Sequence, residues 1–396
     1  MVEKLDGVIV CGAGPVGLIA ALKLAKAGVP VTVLDAGADI VQEPRAVVYH
    51  APVVRELDKL GLLPDLRKIG FLKQHYHFWS NDRQLLAHLD MAVLRPEDTA
   101  YPFNLHLGQP MLAAIVLDHL MQCPGAEVRW SHKVTGIRQT DDAVIVTVDT
   151  PAGEQQLQAP WMIGADGARS GVRKALGLGF EGVTWPEWFV ATNVRFDFEA
   201  HGFGQSNIVH DPDHWAIIPK IDQTNLWRCT YREHPGMPED EVRARVPERY
   251  TLFHPELAAV TPEQVSPYRV HNRAIENFRI GRVLMAGDAA HILNPIGGLG
   301  LTCGILDAAP LGAVLAEVIH GHADPVVLDR WAEERRRIFV EIASPAAIEN
   351  RRRISERDPD QRAVDRARFA KLNADPALAR QALMFTYQLA SQPVIA

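Results

Sequence analysis

Val8-Ile9-Val10-Cys11-Gly12-Ala13-Gly14-Pro15-Val16-Gly17 decides the fold of this 396-residue chain. Val8, Ile9 and Val10 make a short apolar strand, and the glycines at 12, 14 and 17 follow it as G-x-G-x-x-G. Leu18, Ala21, Leu22 and Ala25 then recur at helical spacing, with Lys23 and Lys26 on the other face. Gly28 stops that helix. Val29, Val31, Val33 and Leu34 lead to Asp35, 18 residues beyond Gly17. Strand, glycine turn, helix and strand form one βαβ unit with the spacing of a dinucleotide site. Gly12 permits the tight turn, Gly14 lets backbone approach a pyrophosphate, and Gly17 lets helix and strand pack closely. Free N–H groups at the helix start suit phosphates, and Asp35 can accept from ribose hydroxyls.

Outward from this unit, residues 112–122 read as a helix, and Val144, Val146 and Val148 as a strand. Trp161 to Gly164 is a further strand, and Arg282 to Asp288 another. The middle changes character. Val190, Thr192, Val194, Phe196 and Phe198 alternate with Ala191, Asn193, Arg195, Asp197 and Glu199, and Trp227, Cys229 and Tyr231 alternate with Arg228, Thr230 and Arg232. Such alternation predicts an antiparallel sheet with two different faces. The remainder is mostly helical. Its Arg-rich stretch, 330–371, is interleaved with acids and reads as a solvated, salt-bridged face.

Composition narrows the function classes. With 47% hydrophobic residues the chain can form a core, and a net charge of −7 argues against nucleic acid. The cysteines, Cys11, Cys123, Cys229 and Cys303, form no C-x-x-C pair, which excludes a disulfide framework and fits a reducing compartment. The uncharged run Ala289 to Leu306, apart from His291, is broken by Pro295 and four glycines, so it reads as a buried loop and helix start and not as a membrane span. A soluble, cytoplasmic protein is expected.

Two more strand ends carry an acid: Gly164-Ala165-Asp166-Gly167-Ala168-Arg169-Ser170, and Gly287-Asp288-Ala289-Ala290-His291 followed by Asn294-Pro295 and Gly297-Gly298-Leu299-Gly300. In this order, with the N-terminal turn, they closely resemble the group A FAD-dependent aromatic hydroxylases, the family of p-hydroxybenzoate hydroxylase. The resemblance spans roughly residues 7–320. It implies an α/β architecture: a Rossmann-like FAD-binding fold assembled from 1–72, 108–178 and 272–330, an inserted antiparallel β-sheet substrate domain from 73–107 and 179–271, and a C-terminal helical region, 331–396.

The resemblance also implies roles. Gly12, Gly14 and Gly17 hold the FAD pyrophosphate, and Asp35 the adenosine ribose. Arg45 lies along FAD and serves NADH or NADPH, a transient co-substrate. Gln109 opens a helix and contacts FAD. Asp166 belongs to a motif shared by FAD and NAD(P)H, and Asp288 meets the ribitol. Pro295, Gly298, Gly300, Leu301 and Thr302 border the flavin ring. Asp35 stands where glutamate is commoner. Thr302 stands in place of an asparagine, with a hydroxyl able to cap its helix. Pro310 stands in place of another asparagine and should kink or interrupt that helix. The implied chemistry is hydroxylation of a phenolic or hydroxylated N-heteroaromatic compound by a monomer or homodimer, with NAD(P)H and O2, through a C4a-hydroperoxyflavin.

For the pocket, the aromatic and imidazole residues of the sheet are the candidates. Tyr49, His77, His210, Trp215 and Tyr231 are assigned to substrate. His77 and His210 form the acid–base relay, with Pro295 beside the reacting ring. No metal site is expected: His75-x-His77 has no supporting carboxylate or H-E-x-x-H helix. A flavin-dependent halogenase is the competing enzyme, although His214-Trp215-Ala216-Ile217-Ile218-Pro219 keeps only the Ile-Pro of the W-x-W-x-I-P signature. A flavin-binding sensor or scaffold is the competing non-enzyme.

Overall fold

The computed structural model describes residues 2–392. Its central sheet has six strands in the order Arg279–Ile280, Val283–Met285, Trp161–Gly164, Val8–Cys11, Val31–Leu34 and Ala126–Arg129. All neighbours are parallel except the first pair. Val8–Cys11, Val31–Leu34 and Trp161–Gly164 are buried throughout, as parallel strands covered on both faces must be. The order has one consequence for function. Four adjacent strands end, at their carboxyl edge, in Gly287-Asp288, Ala165-Asp166, Gly12 and Asp35.

The helix Leu299–Ile319 packs across Pro15–Lys26. Glycines allow the approach: a Cβ on Gly304 would lie 2.8 Å from Val16 Cγ2, and one on Gly312 would lie 2.7 Å from Lys23 Cβ. This helix is long and apolar enough to cross a membrane, yet 78% of its apolar stretch is buried inside the protein, so it is a core helix. It runs on through Pro310, contrary to the expected break. The missing N–H removes one helical bond, but burial on both sides holds the helix.

A second, eight-stranded sheet follows the order His291–Ile292, Gln264–Ala274, Glu181–Arg195, Leu226–Glu233, Ala216–Pro219, Ser206–His210, His75–Ser80 and Leu85–Asp90. It is antiparallel with one exception: Ser206–His210 pairs with His75–Ser80 in parallel, so the sheet is mixed and not purely antiparallel. On its outer face, Val190, Val194, Trp227, Cys229 and Tyr231 pack under the helices Glu239–Ala244 and Val246–Phe253. On its inner face, Phe189, Trp215 and Val270 pack against Ile296. A three-stranded sheet, Val48–Tyr49, Asn104–His106 and Phe71–Lys73, joins segments that precede and follow the paired strands His75–Ser80 and Leu85–Asp90. The chain finishes in helices, among them Ser344–Ile354, Pro359–Ala374 and Pro376–Met384.

Candidate active site

The glycine turn is built as its sequence demands. Gly12 has φ +109°, and a Cβ there would lie 2.4 Å from Ala165 O. A Cβ on Gly17 would lie 1.9 Å from Gly12 O. Gly14 differs: nothing lies within 4 Å of its hypothetical Cβ. Protein packing therefore demands glycine at 12 and 17, whereas at 14 it leaves an open cradle. Gly14 caps the helix Pro15–Lys26 without a side-chain bond, and no acid sits in the first turn. The free N–H groups are positioned for an anion. Asp35 closes one side, accepting from Ala13 N and Gly37 N, both at 2.7 Å.

Asp166 Oδ2 accepts from Gly171 N (2.7 Å) and Val172 N (3.1 Å), while its Oδ1 is buried without a partner. Arg173, which sequence reasoning missed, ties two motifs together. It donates to Ala168 O at 2.6 Å and Ala289 O at 3.0 Å, with its guanidinium 3.9 Å from the Phe180 ring centre. Asp288 accepts no hydrogen bond among the described residues. Its side chain is exposed, yet the protein packed around it displaces part of its hydration and raises its pKa against the opposing pull of His291 and Arg45. An open cradle at Gly14 and an unengaged carboxylate at Asp288 along one sheet edge fit the pyrophosphate and ribitol of FAD, with Asp166 Oδ1 a further unpartnered acceptor between them.

The loop after Asp288 is pinned from several sides. Gly297 and Gly298 have φ of +102° and +68°, which suits glycine. Asn294 donates to Ala347 O (2.9 Å), Asn350 to Ile296 O (3.3 Å), and His50 Nε2 lies 2.9 Å from Gly297 O. Gly298 itself caps the helix Leu299–Ile319. The Thr302 hydroxyl donates back to Gly298 O at 2.8 Å, so it is not the cap expected of it. Gln109 opens the helix Gln109–Met121, as expected. The Arg45 side chain is exposed and near Glu43, while its carbonyl accepts from buried Arg228.

The pocket assignments divide by strand parity. Directly paired residues in a sheet share a face. Ile208 pairs with Phe78, and Asn207 with His77. His210 therefore shares the inner face with Phe78, 6.1 Å away between ring centres. His77 lies on the outer face beside Trp79 and His88. The sheet separates the two imidazoles, and they form no relay. Burial lowers the pKa of each to about 4. His210 is covered by the C-terminal helices, with Nδ1 3.1 Å from Arg353 O and Phe369 against its ring. Tyr231 also faces outward, under Phe253. Tyr49 points into the main core, its hydroxyl buried and unpartnered. Trp215 alone of the five lies on the inner face against the loop, in one cluster with Phe189 and Ile296.

Other side chains occupy the inner side instead, among them Arg228 and Tyr268. Arg228 is buried, donates to Asn193 Oδ1 (2.7 Å) and Arg45 O, and has no carboxylate partner among the described residues. Burial lowers its pKa to about 10. Tyr268, 6.2 Å from Phe189, is pushed up to about 12 by burial, opposed by Arg228 and Arg45. His50, Lys73 and His106 form a further buried group that sequence reasoning did not find. The only signal was parity on short strands whose pairing was unknown.

The comparisons with known proteins agree with this geometry. The FAD binding domain family model matches residues 6–344. Para-nitrophenol 4-monooxygenase of Pseudomonas sp. (strain WBC-3) is 44% identical over 398 residues, covering 99% of this chain and 98% of that protein. The 6-hydroxy-3-succinoylpyridine 3-monooxygenase HspB of Pseudomonas putida (strain DSM 28022 / S16) is 40% identical over 355 residues, 89% of this chain and 90% of that protein. The crystal structure of p-nitrophenol 4-monooxygenase PnpA from Pseudomonas putida DLL-E4 superposes with a TM-score of 0.96 at 44% identity, covering 98% of this chain and 99% of that one. These relatives favour hydroxylation over halogenation or a non-catalytic role. The chain belongs to the FAD binding domain family, among its flavin-dependent aromatic monooxygenases.

Proposed function

We propose that this monooxygenase hydroxylates a small phenol, with NADH or NADPH as reductant and O2 as oxygen source. The observation that carries this reading is the near end-to-end relationship, 44% over 99% of the chain, to a para-nitrophenol 4-monooxygenase. A hydroxylated pyridine is the second reading, favoured by the 40% identity to a hydroxypyridine monooxygenase.

In this proposal Gly12, Gly14 and Gly17 hold the pyrophosphate, Asp35 the adenosine ribose and Asp288 the ribitol. Asp166 accepts from the cofactor through its free oxygen. Gln109 and the backbone from Pro295 through Gly298, Gly300, Leu301 and Thr302 line the ring. Arg45 meets the reductant. When bound, FAD supplies the electron transfer from reductant and the O2 activation that the side chains cannot perform. The chain supplies a dry wall and charge. Phe189, Trp215, Ile217 and Ile296 exclude water from one side. The unpaired positive charge of Arg228 favours an anionic ring oxygen over a neutral one.

The test is a screen of phenols and hydroxypyridines for stimulated NADH or NADPH oxidation, with the product identified by mass. One added oxygen atom is the expected result. Reductant consumption with every ring unmodified would remove the proposal.

A further inference from the structure

Arg228, Asn193 and Gln264 stand in one row across three neighbouring strands. Asn193 pairs directly with Arg228 on one side and with Gln264 on the other. Directly paired residues share a face, so all three lie on the inner side of the sheet with Phe189 and Tyr268. They are hydrogen-bonded in series. Arg228 Nε donates to Asn193 Oδ1, and Asn193 Nδ2 donates to Gln264 Oε1, both at 2.7 Å.

The row has a direction. A guanidinium only donates, so Arg228 turns the Asn193 oxygen towards itself. The Asn193 nitrogen is left to donate, which turns the Gln264 oxygen inward along the row and its Nε2 outward. Both ends of the row are therefore donors, and both meet backbone carbonyls of one segment. Arg228 Nη1 donates to Arg45 O, and Gln264 Nε2 donates to Gln42 O at 3.1 Å. Glu43 and Pro44, between these two anchors, belong to no helix or strand. The next two carbonyls, Ala46 O and Val47 O, accept from Gln109 N (3.2 Å) and Leu107 N (3.0 Å). The side chains of the segment are not anchored to the rest of the protein in this way: Arg45 and Glu43 are 56% and 64% exposed and meet each other at 3.4 Å. Backbone anchors thus decide where the Arg45 side chain begins. From there its charge reaches the flavin side. Lost hydration raises the pKa of Asp288, burial raises that of Tyr268, and Arg45 opposes the rise in both. Fixing the stem of a long cationic side chain reduces the freedom it must surrender when it meets an anion.

We propose that Arg228, Asn193 and Gln264 form a cross-strand clamp that holds residues 42–45 and so aims Arg45 at the nicotinamide reductant. The proposal rests on the reading above that Arg45 meets NADH or NADPH. Asn193 and Gln264 are positioning residues that act through Arg45. The clamp makes the substrate-side sheet, and not only the FAD-binding fold, a determinant of reductant affinity.

The experiment follows flavin reduction in FAD-loaded protein without oxygen, as a function of NADH and of NADPH concentration. Gln264→Glu keeps the acceptor for Asn193 but turns an oxygen on Gln42 O. Its dissociation constant for the reductant should rise about fivefold or more, the scale on which residues of one network couple. The limiting reduction rate should stay within about twofold of wild type. Asn193→Asp should act the same way, because a carboxylate draws the Gln264 nitrogen inward and leaves its oxygen against Gln42 O. It replaces Gln264→Glu if that variant fails to retain flavin. Arg45→Ala should also raise the constant, and adding Gln264→Glu to it should change nothing further. A wild-type dissociation constant in both clamp variants overturns the clamp. So does an effect of Gln264→Glu that persists in full without the Arg45 side chain, and so does loss of flavin from both clamp variants, since the row would then hold the fold and not Arg45. A wild-type constant in Arg45→Ala overturns the reading of Arg45 itself, and the clamp's role with it.

Discussion

His291 Nε2 and Asp307 Oδ2 lie 2.7 Å apart with both side chains closed to solvent. The same oxygen accepts from Gly287 N at 3.0 Å, and Oδ1 accepts from Arg335 Nε at 2.7 Å. Arg335 goes on to Leu389 O (2.8 Å) and Cys303 O (3.4 Å). One carboxylate thus ties the turn before Asp288 to the core helix and to the end of the chain. Burial would raise the Asp307 pKa, but His291 and Arg335 outweigh it and hold the carboxyl below its usual range.

Asp307→Asn should therefore destabilise the protein by about 3–5 kcal/mol, because it leaves a buried guanidinium uncompensated. Urea unfolding measures this directly. FAD should also be lost more readily, since the Gly287 turn loses its anchor. A variant with wild-type unfolding midpoint and wild-type flavin retention would disprove the anchoring role.

Gly14→Ala and Gly17→Ala should fail for different reasons. The Cβ added at 17 would lie 1.9 Å from Gly12 O, so this variant should unfold at lower denaturant even without cofactor. The Cβ added at 14 enters open space, so the apoprotein should keep its stability while FAD affinity falls. Paired apoprotein melts and flavin titrations separate the two. Equal loss of apoprotein stability in both variants would contradict the cradle.

The contrast between these glycines explains what the sequence made legible. Turn chemistry is local: Gly12, Asp35, Asp166 and Asp288 each sit at a strand end whatever the rest of the chain does, and sheet order then gathers them. Pocket residues depend on which face of an alternating strand looks at the flavin side. Alternation reveals two faces but does not label them. Tyr49, His77 and Tyr231 stand one residue away from Val48, Tyr76 and Thr230, and a one-residue shift reverses the face. Arg173, Asp307 and Arg335 were illegible for another reason: their partners are 116, 16 and 28 residues distant.

Asp288→Ala should reduce FAD retention, because the ribitol loses its acceptor. The lost hydration that raises the pKa of exposed Asp288 opposes the charged form in the apoprotein, so removing the carboxylate should not lower apoprotein stability at neutral pH. Flavin release on dialysis and the melting temperature with and without FAD check both halves. Undiminished FAD affinity would refute the ribitol contact.

Acid should destabilise the protein through His50 and His106. Their ordinary pKa is 6.5, and the fold depresses it to about 4 and about 3. The unfolded chain then binds more protons than the native one throughout that window. Unfolding free energy must therefore rise with pH there. Stability contributed by the neutral imidazoles is fully present above pH 6.5 and is lost as pH falls towards the folded values. Each fully open titration step corresponds to about 1.4 kcal/mol per pH unit. His106→Gln can still donate to Lys220 O but cannot take up a proton. Between pH 6 and about 4 its unfolding free energy should fall less steeply than that of the wild type, by about one proton's slope. Urea unfolding at stepped pH reads the slope, and parallel lines for the two proteins would mean that His106 is not held neutral by the fold.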